Sequence, residues 1–180
     1  MVAEAKSDVS RDSSQFGEKS QLDAQVQRAF DRAQRFLNYR PRSEQEISSR
    51  LKRQGFTGEV IEATLQKLRR LELVDDASFA EFWKENRQTF RPRSKRLLTH
   101  ELRQKGVDKE LIASVTQEVD DEDEAYRAGY GKAHSLKHAD YYEFRRKLGA
   151  FLSRRGFTYE VVNSVVERVW KEKESEGENE

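Results

Sequence analysis

Leu73–Val107 reads LVDDASFAEFWKENRQTFRPRSKRLLTHELRQKGV, and its middle, Phe90-Arg91-Pro92-Arg93-Ser94, restates an earlier phrase of the chain, Tyr39-Arg40-Pro41-Arg42-Ser43. The two phrases stand 51 residues apart and hold the only two prolines of the protein. A period of this size marks a repeat architecture. A shift of 51 lays Ile47, Leu51, Gly55, Phe56, Val60, Ile61 and Leu68 onto Leu98, Leu102, Gly106, Val107, Leu111, Ile112 and Val119. A shift of 101 lays the same set onto Leu148, Leu152, Gly156, Phe157, Val161, Val162 and Val169. Three copies of one unit make the chain.

Working outward, each copy reads as three helices. Val26, Ala29, Phe30, Ala33 and Leu37 recur at three- and four-residue steps, predicting an amphipathic helix over 23–39. Pro41 ends it by forcing Arg40 out of helical geometry. Ser43 and Glu46 form a capping box for the next helix, Gly55 is its left-handed stop, and Thr57 caps the third. A helix, a glycine turn and a second helix resemble a helix-turn-helix. In the second copy Asp75 or Asp76 caps the first helix, whose buried side is Phe79, Ala80, Phe82 and Trp83; Ser94, Gly106 and Asp108 then repeat the plan. The third copy opens on the acids of 120–124, and Gly156 is its stop. Its last stripe, Val161, Val162, Val165, Val166 and Val169, is β-branched, which favours strand by propensity. The spacing suits one helix face and not the alternation of a strand, so helix is predicted. The expected fold is all-α: three tandem three-helix repeats in an elongated, curved array. Repeats are expected at 22–72, 73–119 and 120–172, between a disordered tail over 1–21 and an acidic disordered tail over 173–180.

Composition agrees with shared small cores. Apolar residues are 35% and charged residues 37% of 180, too polar for one thick core. No apolar run approaches the roughly 18 residues of a membrane span. There is no cysteine, hence no disulfide, thiolate nucleophile or cysteine metal site, and the polar start lacks a secretory core. A cytoplasmic monomer without cofactor is the expectation. The net charge of +1 is uneven: residues 24–119 carry +6, residues 120–180 carry −3 and residues 1–23 carry −2. Such a basic field attracts polyanions or acidic protein surfaces.

Three features invite a chemical reading, and each has a plainer one. His134 and His138 stand four apart, as zinc ligands on a helix do, but no His-Glu-x-x-His pattern accompanies them, and polar histidines near a helix end are ordinary. Gly129-Tyr130-Gly131-Lys132 lacks the first glycine, the Ser or Thr after the lysine and the preceding strand of a phosphate loop. Asp120–Glu124 suits the positive end of a helix dipole. No catalytic set emerges, and a non-enzyme is expected. More weight falls on Arg40, Arg42, Arg91, Arg93, Lys95 and Arg96, which crowd two equivalent loop-to-helix corners, with Arg103 two turns beyond Arg96. Arginine presents forked donors to carboxylates and phosphates.

These residues resemble the RecX family, bacterial regulators of the RecA recombinase. The resemblance spans about residues 29–170. It is most specific at Leu73-Val74-Asp75-Asp76-Ala77-Ser78-Phe79-Ala80, followed by Arg87 and by Glu101-Leu102-Arg103-Gln104-Lys105-Gly106-Val107. Arg40, Ser43, Ile47, Leu51 and Gly55-Phe56 fit the family's first-unit pattern. Glu72, where the family often has glycine, and the bulky Trp83 depart from it. The resemblance implies a non-catalytic array lying along the groove of a RecA–DNA filament, damping ATP hydrolysis, strand exchange and coprotease function. The partner surface expected from the basic corners, with Arg87 beside them, comprises Arg40, Arg42, Arg87, Arg91, Arg93, Lys95, Arg96 and Arg103. A sequence-specific helix-turn-helix DNA binder is the competing reading. Against it, the candidate recognition helices start Thr57-Gly58-Glu59, Asp108-Lys109-Glu110 and Thr158-Tyr159-Glu160, placing acids where phosphates would lie. Weak nonspecific DNA contact is compatible with the filament-binding reading.

Overall fold

The structure is a computed structural model that describes the backbone of residues 6–177 and the side chains of residues 19–175. Its elements are helical among the described residues: α1 (Lys6–Leu37), α2 (Glu44–Arg53), α3 (Gly58–Arg70), α4 (Asp76–Phe90), α5 (Lys95–Gln104), α6 (Lys109–Thr116), α7 (Asp121–Ala133), a 3-10 turn (His134–Leu136), α8 (Tyr141–Ser153) and α9 (Tyr159–Gly177). The valine-rich segment is helix α9, as its spacing predicts. Two expectations about the ends are corrected. Residues 6–21, expected to be disordered, continue α1 upstream of Asp23, and residues 173–177, expected likewise, continue α9. Both extensions are free of proline, and a helix already nucleated propagates cheaply through polar residues. The remaining expected tail residues, 1–5 and 178–180, lie outside the described residues.

Two compact units divide the chain, Met1–Phe79 and Ala80–Glu180. In the first, Ala29, Phe30 and Ala33 of α1 pack on Ile47 and Leu51 of α2 and on Val60, Ile61, Leu65 and Leu68 of α3, with Val74 completing the cluster. In the second, Ala125 and Ala128 of α7, Phe144, Leu148 and Leu152 of α8 and the α9 valines form one core. Leu98, Leu102, Val107, Ile112, Val115 and Val119 are also buried there. Phe79 and Ala80 are buried, whereas Phe82 and Trp83 are half-buried. Gly129, in the middle of α7, lets two helices approach: a Cβ there would stand 3.1 Å from Val165 Cγ1. The would-be phosphate loop is a helix–helix contact.

The repeat is written most clearly in its turns. Gly55, Gly106 and Gly156 take φ of 88°, 79° and 88°, the left-handed region that side chains resist. Each donates its N–H to a carbonyl three residues back, from Lys52, Arg103 and Ser153. Phe56 and Val107 then donate to Leu51 and Leu102, completing the six-residue closure of a helix C-terminus. Glu72 occupies the same position after α3 with φ 55°, and Leu73 N–H donates to Leu68 O at 3.0 Å. The departure from glycine therefore keeps the turn and strains it.

The paired aspartates divide their labour. Asp75 caps α4, accepting from the N–H groups of Ala77 and Ser78 at 3.0 Å and from Ser78 Oγ at 2.6 Å. Asp76 Oδ1 instead accepts the Glu44 N–H at the start of α2, 2.9 Å away. In the second unit Asp120 caps α7 while Asp121 Oδ1 accepts the Lys95 N–H at the start of α5, at 2.6 Å. One acid pair thus satisfies orphan amides of two helices. The run 120–124 is not uniformly solvated: Glu124 is 2% exposed, bonded by Gln88 Nε2 at 2.8 Å and paired with Arg127.

Candidate partner-binding surface

Ser43 and Ser94 are buried caps, accepting from Glu46 N–H and Leu97 N–H at 3.2 Å each. They fix where the flanking arginines emerge. At the first corner Arg40 forks onto Glu46, with contacts of 2.8 and 3.2 Å, and also donates to Pro41 O. Arg42 lies over the Phe36 ring, 3.8 Å from its centroid, and 3.9 Å from Glu46. Burial first, and Arg40 second, hold its guanidinium below the ordinary arginine range, while Glu46 opposes them.

At the second corner Glu101 is the hub. Its carboxylate, on a side chain only 12% exposed, accepts from Trp83 Nε1 at 2.9 Å, Arg87 Nε at 2.7 Å and Arg93 at 2.6 Å. Arg87 also lies over the Trp83 ring, and Lys105 Nζ stands 4.7 Å from that ring's centroid. The bulky Trp83 is thus a platform that holds Arg87 and Glu101 in place. Lys95 Nζ donates to Gln117 O at 3.2 Å. Five of the eight expected partner residues, Arg40, Arg42, Arg87, Arg93 and Lys95, are therefore engaged within the chain. Arg91, Arg96 and Arg103 are exposed and make no ion pair with any described residue. Of the eight, these three offer forked donors to a partner without first breaking an internal bond.

Sequence reasoning missed Arg154 and Arg155. Ser94 N–H donates to Arg155 O at 3.0 Å, which seats the end of α8 on the second corner. A Cβ on Gly156 would stand 2.5 Å from Ser94 Oγ and 2.9 Å from Leu97 Cβ, so only glycine fits this approach. Burial, and then the charges of Arg93, Arg154 and Arg91, push the Arg155 guanidinium below its ordinary range. The available signal was the repeat itself: Arg154-Arg155 precedes the glycine stop where the second copy has Gln104-Lys105.

The histidines do not converge. His134 sits in the 3-10 turn with Nδ1 3.1 Å from Tyr130 O, and both His134 and His138 are exposed. Among the described residues no group of three or more His, Asp or Glu side chains is placed to hold a metal ion. No helix there is long and apolar enough to cross a membrane.

Comparison with known proteins follows the three repeats. Residues 29–68, 75–115 and 120–166 match the family models for the first, second and third three-helix domains of RecX. The chain belongs to the RecX family. Among similar RecX relatives is the regulatory protein RecX of Chlorobium phaeobacteroides (strain BS1), 35% identical over 149 residues, covering 83% of this chain and 98% of the relative. Another is the regulatory protein RecX of Amycolatopsis mediterranei (strain U-32), 37% identical over 139 residues, covering 76% and 79%. The crystal structure of RecX from Lactobacillus salivarius superposes with a TM-score of 0.65 at 18% identity, covering 82% of this chain and 97% of that one. That likeness is one of fold.

Proposed function

We propose that the protein binds the RecA–DNA filament and mainly inhibits its recombinase, ATPase and coprotease activities, with no reaction of its own. The observation that carries this reading is the match of all three repeats to the RecX domains, together with a relative named regulatory protein RecX that is matched over 98% of its length. The uncommitted Arg91, Arg96 and Arg103 supply a chemistry for it, since forked cations meet carboxylates of a protein surface or phosphates of DNA. The protein acts as a cytoplasmic monomer in this reading, and any DNA contact of its own is nonspecific and salt-sensitive. Titration into a RecA ATPase assay on single-stranded DNA tests it. Hydrolysis is expected to fall as the protein approaches an equal ratio to RecA; unchanged hydrolysis at that ratio rejects the reading.

A further inference from the structure

A cleft of about 590 Å³ opens in the second unit between the end of α4, the outer face of α7 and the end of α8. Its walls carry Phe90, Pro92, Arg127, Lys132, Phe151 and Arg155, and among the described residues no aspartate or glutamate lines it. Glu124, the buried acid of α7, is held through Oε1 by Gln88 and Arg127, while its Oε2 is buried without a hydrogen-bond partner. The Phe151 ring is flanked by cations, with Arg155 at 3.6 Å and Lys132 Nζ at 5.9 Å from its centroid. Arg155 Nε is buried and makes no hydrogen bond. The like charges of Arg93, Arg154 and Arg91 also act on it. A partly desolvated guanidinium among like charges, facing a cleft that no described acid lines, is stabilised by an anion.

The aromatic residue at the rim narrows the class of anion. Phe90 is 73% exposed, and Tyr39, its counterpart before the first Arg-Pro-Arg-Ser, is 85% exposed. A glutamate or aspartate side chain would supply charge and leave Phe90 bare. A nucleotide supplies both parts, a phosphate for the cations and an unstacked π face for the ring. In a duplex that face is covered by its neighbours, so the strand must be single. We infer that this cleft seats one nucleotide of single-stranded nucleic acid, its base on Phe90 and its phosphate at Arg155 and Lys132. The inference goes beyond the RecA reading and does not depend on it.

Fluorescence polarisation of the full chain with a labelled dT oligomer of about 8 nucleotides, within the site sizes of single-strand binders, tests the assignment. An abasic oligomer with the same phosphates is the matched probe. Phe90→Ala, an exposed change, should weaken dT binding by about tenfold and leave abasic binding unchanged, while Phe90→Trp should bind dT at least as well as the parent. Lys132→Gln should flatten the log–log salt dependence by about 0.7, the value of one phosphate contact on a single strand. Equal affinity of the parent for the two oligomers, or undiminished dT binding by Phe90→Ala, would overturn the inference. So would complete displacement of the dT oligomer by a polyglutamate peptide at matched charge, which would assign the cleft to an acidic protein segment.

Discussion

Gly55 and Gly156 share a φ of 88° and differ in what surrounds them. A Cβ on Gly55 meets nothing within 4 Å, whereas one on Gly156 runs into Ser94 and Leu97. The backbone penalty of an L side chain in the left-handed region, about 1 kcal/mol, is common to both. Gly156→Ala adds overpacking, typically about 1–3 kcal/mol more. Denaturant unfolding of the two alanine variants should therefore show the larger loss for Gly156→Ala; equal losses would mean that the α8 end does not close on Ser94 as described. The glycine stops themselves were legible because they recur with the period. The contact that distinguishes Gly156 was not, since the sequence states which turn is made and not what packs on it. The arginines show the same limit. Their recurrence marked both corners, but Glu46 and Glu101 are what commit Arg40, Arg87 and Arg93 internally, and ion-pair partners six to fourteen residues away leave no local signature.

At the scale of the element, capping carried most of what could be foreseen. The expected caps Ser43, Thr57, Ser94 and Asp108 each accept from an amide in the first turn of the following helix, and the structure adds Asp120 and Asp140 to them. The lengths of α1 and α9 escaped prediction because polar sequence without proline neither demands nor stops a helix. The second acid of each pair escaped too, since its target amide belongs to another helix. Asp75 and Asp76 also titrate in opposite senses. Hydrogen bonds from Ser78 Oγ, Ser78 N–H and Ala77 N–H hold Asp75 below the usual carboxylate range, while burial, against the pull of the Glu44 N–H, pushes Asp76 above it. For Asp75 the folded pKa lies under the unfolded one. Its contribution is thus complete above about pH 4 and is lost as pH falls through the depressed value. Asp75→Ala should cost about 1 kcal/mol at neutral pH, the usual worth of an N-cap. That deficit should narrow on acidification, as the parent's own cap becomes protonated. A deficit that stays constant from pH 7 down to the acid limit of folding would show that the charge of Asp75 contributes nothing to the cap.

For the whole molecule, the uneven charge follows the repeats: the +6 of residues 24–119 lies in the copies that carry both arginine corners. Composition gave that field, and the period gave the architecture; the sorting of cations into committed and uncommitted required coordinates. The sorting predicts how charge reversal divides. Arg91→Glu, Arg96→Glu and Arg103→Glu together remove no internal ion pair and touch none of the Leu98 and Leu102 packing, so the melt should stay within the roughly 0.5 kcal/mol per site usual for surface changes. Inhibition of the RecA ATPase should nevertheless collapse, because each reversal replaces attraction with like-charge repulsion at an acidic surface or phosphate. Arg93→Glu is the opposite case. It sets a second carboxylate against Glu101, whose 2.6 Å contact with Arg93 it destroys, and should cost about 2 kcal/mol or more of stability. Thermal melts and ATPase titrations of both variants separate the two effects. Full inhibition by the triple variant at low salt and an unchanged protein ratio would reduce Arg91, Arg96 and Arg103 to solvated surface and move the search for the filament contact elsewhere on the chain.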